Sequence, residues 1–284
     1  MRSATESGGT SNLPLITVTV CSFNGERYLE KTLNSVLAQD YSNFELVIVD
    51  DGSSDGTVSI IRRFADGHGC IRPFFRSNHG LPASRTFSFA QARGEWIAII
   101  DQDDLCYPTR LSRQLELAQR HPTAGLVFSN VNQINESDDV IGDYFSFFAL
   151  PEHPIFRREY VGNLLLRLGC FSPSASCFIK RDTVLAVGAF DESFAYCCDY
   201  DYFIRAGFEV DFAYTRDTLA AWRSHAEQAT ATYRRIGNEV RSLYWRNCRG
   251  RNASVWTKTV LLGKIVKSFV GDVVRKSRRS FRSS

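Results

Sequence analysis

The sequence predicts an α/β fold on a mostly parallel sheet. Between residues 14 and 130, short apolar runs alternate with longer amphipathic segments, the pattern of βαβ units. One run, Trp96–Ile100, is apolar throughout, as a strand covered on both faces must be. Acidic residues gather just beyond the second and fourth runs, where open parallel sheets bind ligands.

The first strand is read at Leu15–Val20. A helix over Glu26–Ala38 follows, with Leu29, Leu33, Val36 and Leu37 at helical spacing. Phe44–Val49 is the second strand, and Thr57–Ala65 a helix with Val58, Ile61 and Phe64 inward. Ile71–Phe75, the helix Pro82–Ala92 and the strand Trp96–Ile100 continue the alternation. Pro108–Arg120 opens on a proline, whose fixed φ suits a first helical turn, and Leu126–Phe128 is a fifth strand. Beyond Asn130 the pattern weakens. Residues 131–175, rich in Gly, Pro and Phe, read as a long loop with a helix near Glu159–Leu168. Regular structure resumes at Ala175–Ile179, Tyr200–Ala206 and Val210–Tyr214.

Charge divides the chain. Of 34 Lys/Arg and 31 Asp/Glu, 14 basic and 2 acidic residues fall in 234–284, so that segment carries +12 and the rest −9. The expected organisation is a short disordered tail at 1–12, a body at 13–233, and a basic amphipathic helical extension at 234–284. In the extension, Leu261, Leu262, Ile265, Val266, Phe269, Val270, Val273 and Val274 recur in pairs every four residues. An anionic membrane surface bound through 258–282 is the favoured partner. The alternative is a helix packed on the body; nucleic acid is disfavoured because aromatic interleaving is sparse. No apolar run is long enough to span a bilayer and no signal core precedes Asn12, so the expected location is cytoplasmic, peripheral at the inner face of the membrane. Eight cysteines without CxxC spacing read as reduced thiols, not as disulfides or a zinc site.

Two motifs carry chemistry. In Val49-Asp50-Asp51-Gly52-Ser53-Ser54-Asp55-Gly56-Thr57, Asp55 or Ser54 serves as a helix cap. Capping leaves two adjacent acids at the end of a buried strand, so Asp50 or Asp51 is a ligand candidate. In Asp101-Gln102-Asp103-Asp104, extended backbone turns Asp101 and Asp103 to one side. Like charges this close need a cation, and hard oxygen ligands select Mg²⁺ or Mn²⁺. Arg85 falls near a helix start, where an anion is favoured.

Taken together, these residues resemble family 2 glycosyltransferases. The carrying segments are Val20-Cys21-Ser22-Phe23-Asn24, the Asp-Asp-Gly-Ser-Ser-Asp-Gly-Thr turn, Asn78-x-Gly80 with Ala83 and Arg85, Gly94-Glu95 leading to Asp-Gln-Asp-Asp, and Gly188–Phe194 followed by Cys198-Asp199. The resemblance implies a GT-A fold and an inverting, metal-dependent transfer from a nucleotide-sugar donor to a saccharide or lipid-linked acceptor, in cell-surface polysaccharide or glycolipid assembly. It places Cys21, Asn24, Asp50, Asp51, Arg85 and Asp101 on the donor. It makes Asp103, with Asp101 or Asp104, and His225 the ligands of Mn²⁺ or Mg²⁺, with Asp101-Gln102-Asp103 as the Asp-x-Asp motif. Asp199 becomes the general base. Where the family usually shows Glu-Asp, this chain has Cys198-Asp199, which leaves Asp201 as the rival base. The aromatic stretch Gly142–Phe171 is expected to shape the acceptor site. A sugar nucleotidyltransferase would need a Gly-rich basic loop after the first strand, and Ser22–Arg27 is a poor one. A non-catalytic nucleotide-sugar binding module is the other rival.

Overall fold

A computed structural model describes residues 13–226, 228 and 233–280, with side chains placed through 268 except at 233–235. The expected tail at 1–12 and the basic end at 281–284 lie outside the described residues, as do the side chains of 269–280. The first half runs β1 (Ile16–Ser22), α1 (Leu29–Leu37), β2 (Phe44–Asp50), α2 (Thr57–Gly67), β3 (Ile71–Phe75), α3 (Leu81–Gln91), β4 (Trp96–Asp101), β5 (Leu105–Cys106), α4 (Arg110–Arg120) and β6 (Ala124–Ile134). There follow β7 (Val140–Asp143), β8 (Ile155–Phe156), α5 (Tyr160–Leu168), β9 (Phe178–Lys180), α6 (Arg181–Val187), α7 (Cys198–Glu209), β10 (Asp211–Arg223), α8 (Tyr233–Arg249) and α9 (Val255–Ser280).

The main sheet is ordered β3-β2-β1-β4-β9-β6-β10-β5. β1 to β4 are parallel, β9 lies antiparallel between β4 and β6, and β6 pairs parallel with β10. β4 explains its own composition. Ile97 and Ile99 enter the core on one face, while Trp96, Ala98 and Ile100 enter the core on the other. A strand buried on both faces has no polar side. β1 alternates instead. Ile16, Val18 and Val20 fill one core, and the hydroxyl of Thr17 on the other face donates to Glu45 at 2.7 Å. The registers Ser22↔Asp50 and Cys21↔Asp101 bring the carboxyl ends of β1, β2 and β4 level. The chain crosses from one side of β1 to the other here, so a crevice opens at these ends.

Two readings change. Residues 131–175 are not a long loop. β6 continues to Ile134, and its polar residues are satisfied internally: the Asn130 side chain accepts from Phe145 N at 3.0 Å, and Ser129 N donates to the Ser176 hydroxyl at 3.2 Å. Those polar residues broke the apolar run that marks a strand. The aromatic stretch is largely core. Phe145, Phe156 and Phe171 pack around Phe128 with ring centroids 5.8–6.5 Å apart, and Phe147 alone of the four phenylalanines at 145, 147, 156 and 171 is exposed.

The extension also packs on the body. Leu243 and Leu261 are buried in the core that α5 and α7 share, and Ile265 of α9 is buried as well. Lys264 Nζ donates to the carbonyls of Leu166 and Arg167 at 3.4 and 2.6 Å, so a cation closes the carboxyl end of α5. The apolar periodicity of α9 is therefore split. Leu261 and Ile265 turn inward, while Trp256, Leu262 and Val266 are exposed. Among the described residues, no helix is long and apolar enough to cross a membrane.

Candidate active site

A cleft of about 570 Å³ opens at the carboxyl ends of β1, β2 and β4. Cys21 to Phe23, Asp51, Arg85, Asp101 to Asp103, Asp199 and His225 line it.

The adjacent acids at the end of β2 part company. Asp51 faces the cleft, where its carboxylate accepts from His79 N (3.0 Å), Gly80 N (2.8 Å) and the Ser84 hydroxyl (2.7 Å). Gly80 sits at φ +86°, a conformation a side chain resists, and this turn sets its N–H on the carboxylate. Asp50 does not line the cleft. Strand alternation turns it to the opposite face, where Oδ2 accepts from Gly52 N and Ser53 N, both at 3.2 Å.

Asn24 lies off the cleft wall as well. At φ +49° its side chain accepts from Ser54 N at 2.9 Å, tying the β1–α1 loop to the β2–α2 loop. The N–H groups of Asn24, Gly25 and Glu26 donate to Ser53, Thr57 and Asp55 side chains at 2.9, 2.8 and 3.1 Å. Their donors are thus committed, and this loop has none of those three free to cradle a triphosphate. Asp55 also accepts from Thr57 N at 3.0 Å, at the amino end of α2.

Gln102, between the two acids, escaped the sequence reading. Its Oε1 accepts from the Ser22 hydroxyl (2.7 Å) and Phe23 N (2.9 Å), and its Nε2 donates to Phe23 O (3.2 Å). It locks the turn after β4 onto the end of β1. A Cβ on Gly25 would stand 2.3 Å from that Oε1, so the loop passes too close for a side chain.

Arg85 is buried, and its guanidinium joins two carboxylates. It donates to Asp101 Oδ1 at 2.6 Å and pairs with Asp199 Oδ1. Burial opposes its charge, but Asp101 restores it and the group stays fully protonated. The expected phosphate contact is thus occupied by carboxylates. Asp199 sits in the first turn of α7 and faces the cleft. Asp201, a helical rotation of about 200° away, is fully buried and pairs with Arg205 Nε at 2.9 Å and with Arg246. It does not line the cleft.

On the wall formed after β10, His225 Nε2 lies 2.8 Å from Asp103 Oδ2, and its ring leans on Tyr28 with centroids 5.0 Å apart. Burial raises the Asp103 carboxyl above its usual range, and Asp101 adds to the rise. Asp104 turns away: it is buried, accepts from Arg223 N at 2.9 Å, and is pushed well up by burial and then by Asp103. Among the described residues, no three His, Cys, Asp or Glu side chains converge as a ready metal site. Of the four expected ligands, Asp101, Asp103 and His225 line the cleft, and Asp103 and His225 pair with each other. Asp101 is engaged by Arg85 and, at 3.3 Å, by the Ser174 hydroxyl. Burial pushes the thiol of Cys21 up to about 12 and that of Cys198 up to about 11, so neither supplies a thiolate near neutrality.

Residues 17–183 match the profile of glycosyl transferase family 2. An uncharacterised glycosyltransferase of Nostoc sp. is 32% identical over 180 residues, covering 62% of this chain and 54% of that protein. One from Rickettsia typhi is 24% identical over 220 residues, covering 77% and 67%. The chain thus spans between about half and two thirds of the length of these relatives. Among solved structures, S. aureus TarS 1-349 in complex with UDP-GlcNAc superposes with a TM-score of 0.67 at 14% identity, over 89% of this chain and 72% of that one. The mannosyltransferase PcManGT from Pyrobaculum calidifontis, in complex with GDP-Man and Mn²⁺, gives 0.64 at 20% identity, over 89% and 69%. At such identities the likeness establishes the fold, which is GT-A.

Proposed function

The chain belongs to glycosyl transferase family 2, and from that premise we propose that it moves a sugar from a nucleoside-diphosphate donor to an acceptor hydroxyl with inversion at the anomeric carbon. The observation that carries this reading is the placement of Asp199. It faces the same cleft as Asp101, Asp103 and His225 and is held by the buried Arg85.

In this reading Asp51 meets the nucleoside at the end of β2. The pair Asp103–His225 fits a divalent cation, because a carboxylate oxygen and an imidazole nitrogen stand 2.8 Å apart on one wall. The nitrogen ligand favours Mn²⁺ over Mg²⁺. Such an ion offsets the charge that develops on the leaving diphosphate. Asp199 takes the proton of the acceptor hydroxyl. Arg85 orients Asp101 and Asp199 and does not bind phosphate itself. Tyr196 and Trp222, both on the cleft, form the acceptor wall in place of the buried aromatic stretch. Cell-surface polysaccharide or glycolipid assembly is the proposed setting. The exposed Trp256, Leu262 and Val266 of α9 would rest on an anionic membrane, and sedimentation with anionic vesicles at low and high salt tests that part.

The decisive experiment is a thermal-shift screen of UDP, GDP and their sugars with and without Mn²⁺, followed by hydrolysis of whichever sugar nucleotide binds. A nucleotide-sugar and Mn²⁺-dependent shift with slow hydrolysis is expected. No shift with any nucleotide overturns the proposal, and a shift without turnover points to a binding module.

A further inference from the structure

The helix that presents Asp199 lacks a cap of its own. The residue at its N-cap, Cys197, makes no side-chain hydrogen bond to the first turn. The backbone ahead of it is held from elsewhere. Ala195 N donates to Glu239 Oε1 at 3.1 Å, and Tyr196 N and Cys197 N donate to Glu239 Oε2 at 2.8 and 2.9 Å. Glu239 lies on α8, 42 residues beyond Cys197. Ala195 and Tyr196 line the cleft.

Three N–H groups on one carboxylate are charge-assisted hydrogen bonds, about twice as strong as neutral ones. A negative charge at a helix amino end is also favoured by the helix dipole. The rest of α8 fastens the same unit. Leu243 is buried in the shared core, and Arg246 pairs with Asp191 at 2.7 Å and with Asp201. Asp199 is therefore fixed from two directions: Arg85 holds its carboxylate, and Glu239 holds the backbone of 195–197 just ahead of it.

We propose that Glu239 is a positioning residue for the active site. It sets the amino end of α7, and with it Asp199, so that α8 belongs to the catalytic apparatus. The position that carries Glu in the family pattern is Cys198 here, and a carboxylate reaches this segment from a different helix. The proposal rests on Asp199 as the base.

The test uses the full chain with Glu239→Gln, which keeps shape but removes charge, and Glu239→Asp, which keeps charge but shortens reach. Amide hydrogen exchange at 195–197 is measured alongside UDP affinity with Mn²⁺ and the kcat and KM for hydrolysis of UDP-GlcNAc or GDP-mannose. In Glu239→Gln, protection at 195–197 should fall about tenfold or more, the effect of losing one charge-assisted hydrogen bond. The kcat should fall by about the same factor, with UDP affinity and KM within about twofold of wild type. Glu239→Asp should lie between the two. Unchanged exchange at 195–197 overturns the proposal, as does reduced protection with unaltered kcat. If Asp199→Asn turns over like wild type, the base assignment has failed, and the exchange data distinguish that from failure of Glu239 to hold the segment.

Discussion

Asp199 and Asp201 stand two positions apart on α7, and the structure assigns them opposite sensitivities. Asp199→Asn leaves a side chain of the same size on the cleft wall but removes the proposed proton acceptor. Turnover should fall by about two to four orders of magnitude, the scale of a lost general base, while the melting temperature falls only modestly because the buried Arg85 keeps Asp101 as its counter-charge. Asp201→Asn acts on a fully buried carboxylate that neutralises Arg205 and Arg246. Breaking a wholly buried pair costs roughly 3–5 kcal/mol. Here the two arginine side chains are 30% and 40% exposed, and Arg205 keeps its bonds to the carbonyls of Val187 and Ala189. Water and those carbonyls soften the loss, so about 2 kcal/mol is expected. For a chain of this size that lowers the melting temperature by about 3–4 °C. Below the melting range, turnover should drop much less than in Asp199→Asn. The assay pairs thermal melts with hydrolysis or transfer from the nucleotide sugar that binds. An inactive but stable Asp201→Asn beside an active Asp199→Asn would refute the assignment and make Asp201 the base.

Nucleoside diphosphate binding should require Mn²⁺ or Mg²⁺, and calorimetry should show Asp103→Asn and His225→Ala each losing the Mn²⁺-dependent gain; Asp104→Asn should retain it, because that side chain faces Arg223. Gly25→Ala should weaken binding of whichever nucleoside diphosphate the screen selects by about tenfold, since the new methyl must displace Gln102 from its bonds to Ser22 and Phe23; equal affinity would show that the turn between Asp101 and Asp103 does not depend on Gln102. Removal of residues 234–284 should abolish cooperative unfolding, because it strips Leu243, Leu261 and Ile265 from the core at about 1.5–3 kcal/mol each, against a total stability of about 5–15 kcal/mol. A truncated chain that melts cooperatively near the full-length temperature would restore the reading of a separable basic extension.

The sheet was legible because its strands are buried on both faces, and such strands show in sequence as apolar runs with acids at their ends. Trp96–Asp101 and Phe44–Asp50 were read to within a residue. β6 was cut short because Ser129 and Asn130 are buried polar residues whose partners, Ser176 and Phe145, lie far along the chain. The edge strands β5, β7 and β8 are too short to leave a periodic signal.

By itself the sequence determined that carboxylates would stand at the ends of β2 and β4, since strand placement follows from local hydrophobic pattern. It also determined the family, through motifs whose order survives in one chain. Which carboxylates face the cleft was decided only by the tertiary structure. Asp51 does and Asp50 does not, Asp103 does and Asp104 does not, Asp199 does and Asp201 does not. The reason is that a side chain settles against its charge partner, and those partners are remote: His225 is 122 residues from Asp103, Arg223 is 119 from Asp104, and Glu239 reaches the segment before Asp199 from a helix that sequence alone had set apart from the body. Local periodicity carries no record of such pairs; they exist once the cores on both faces of the sheet have closed.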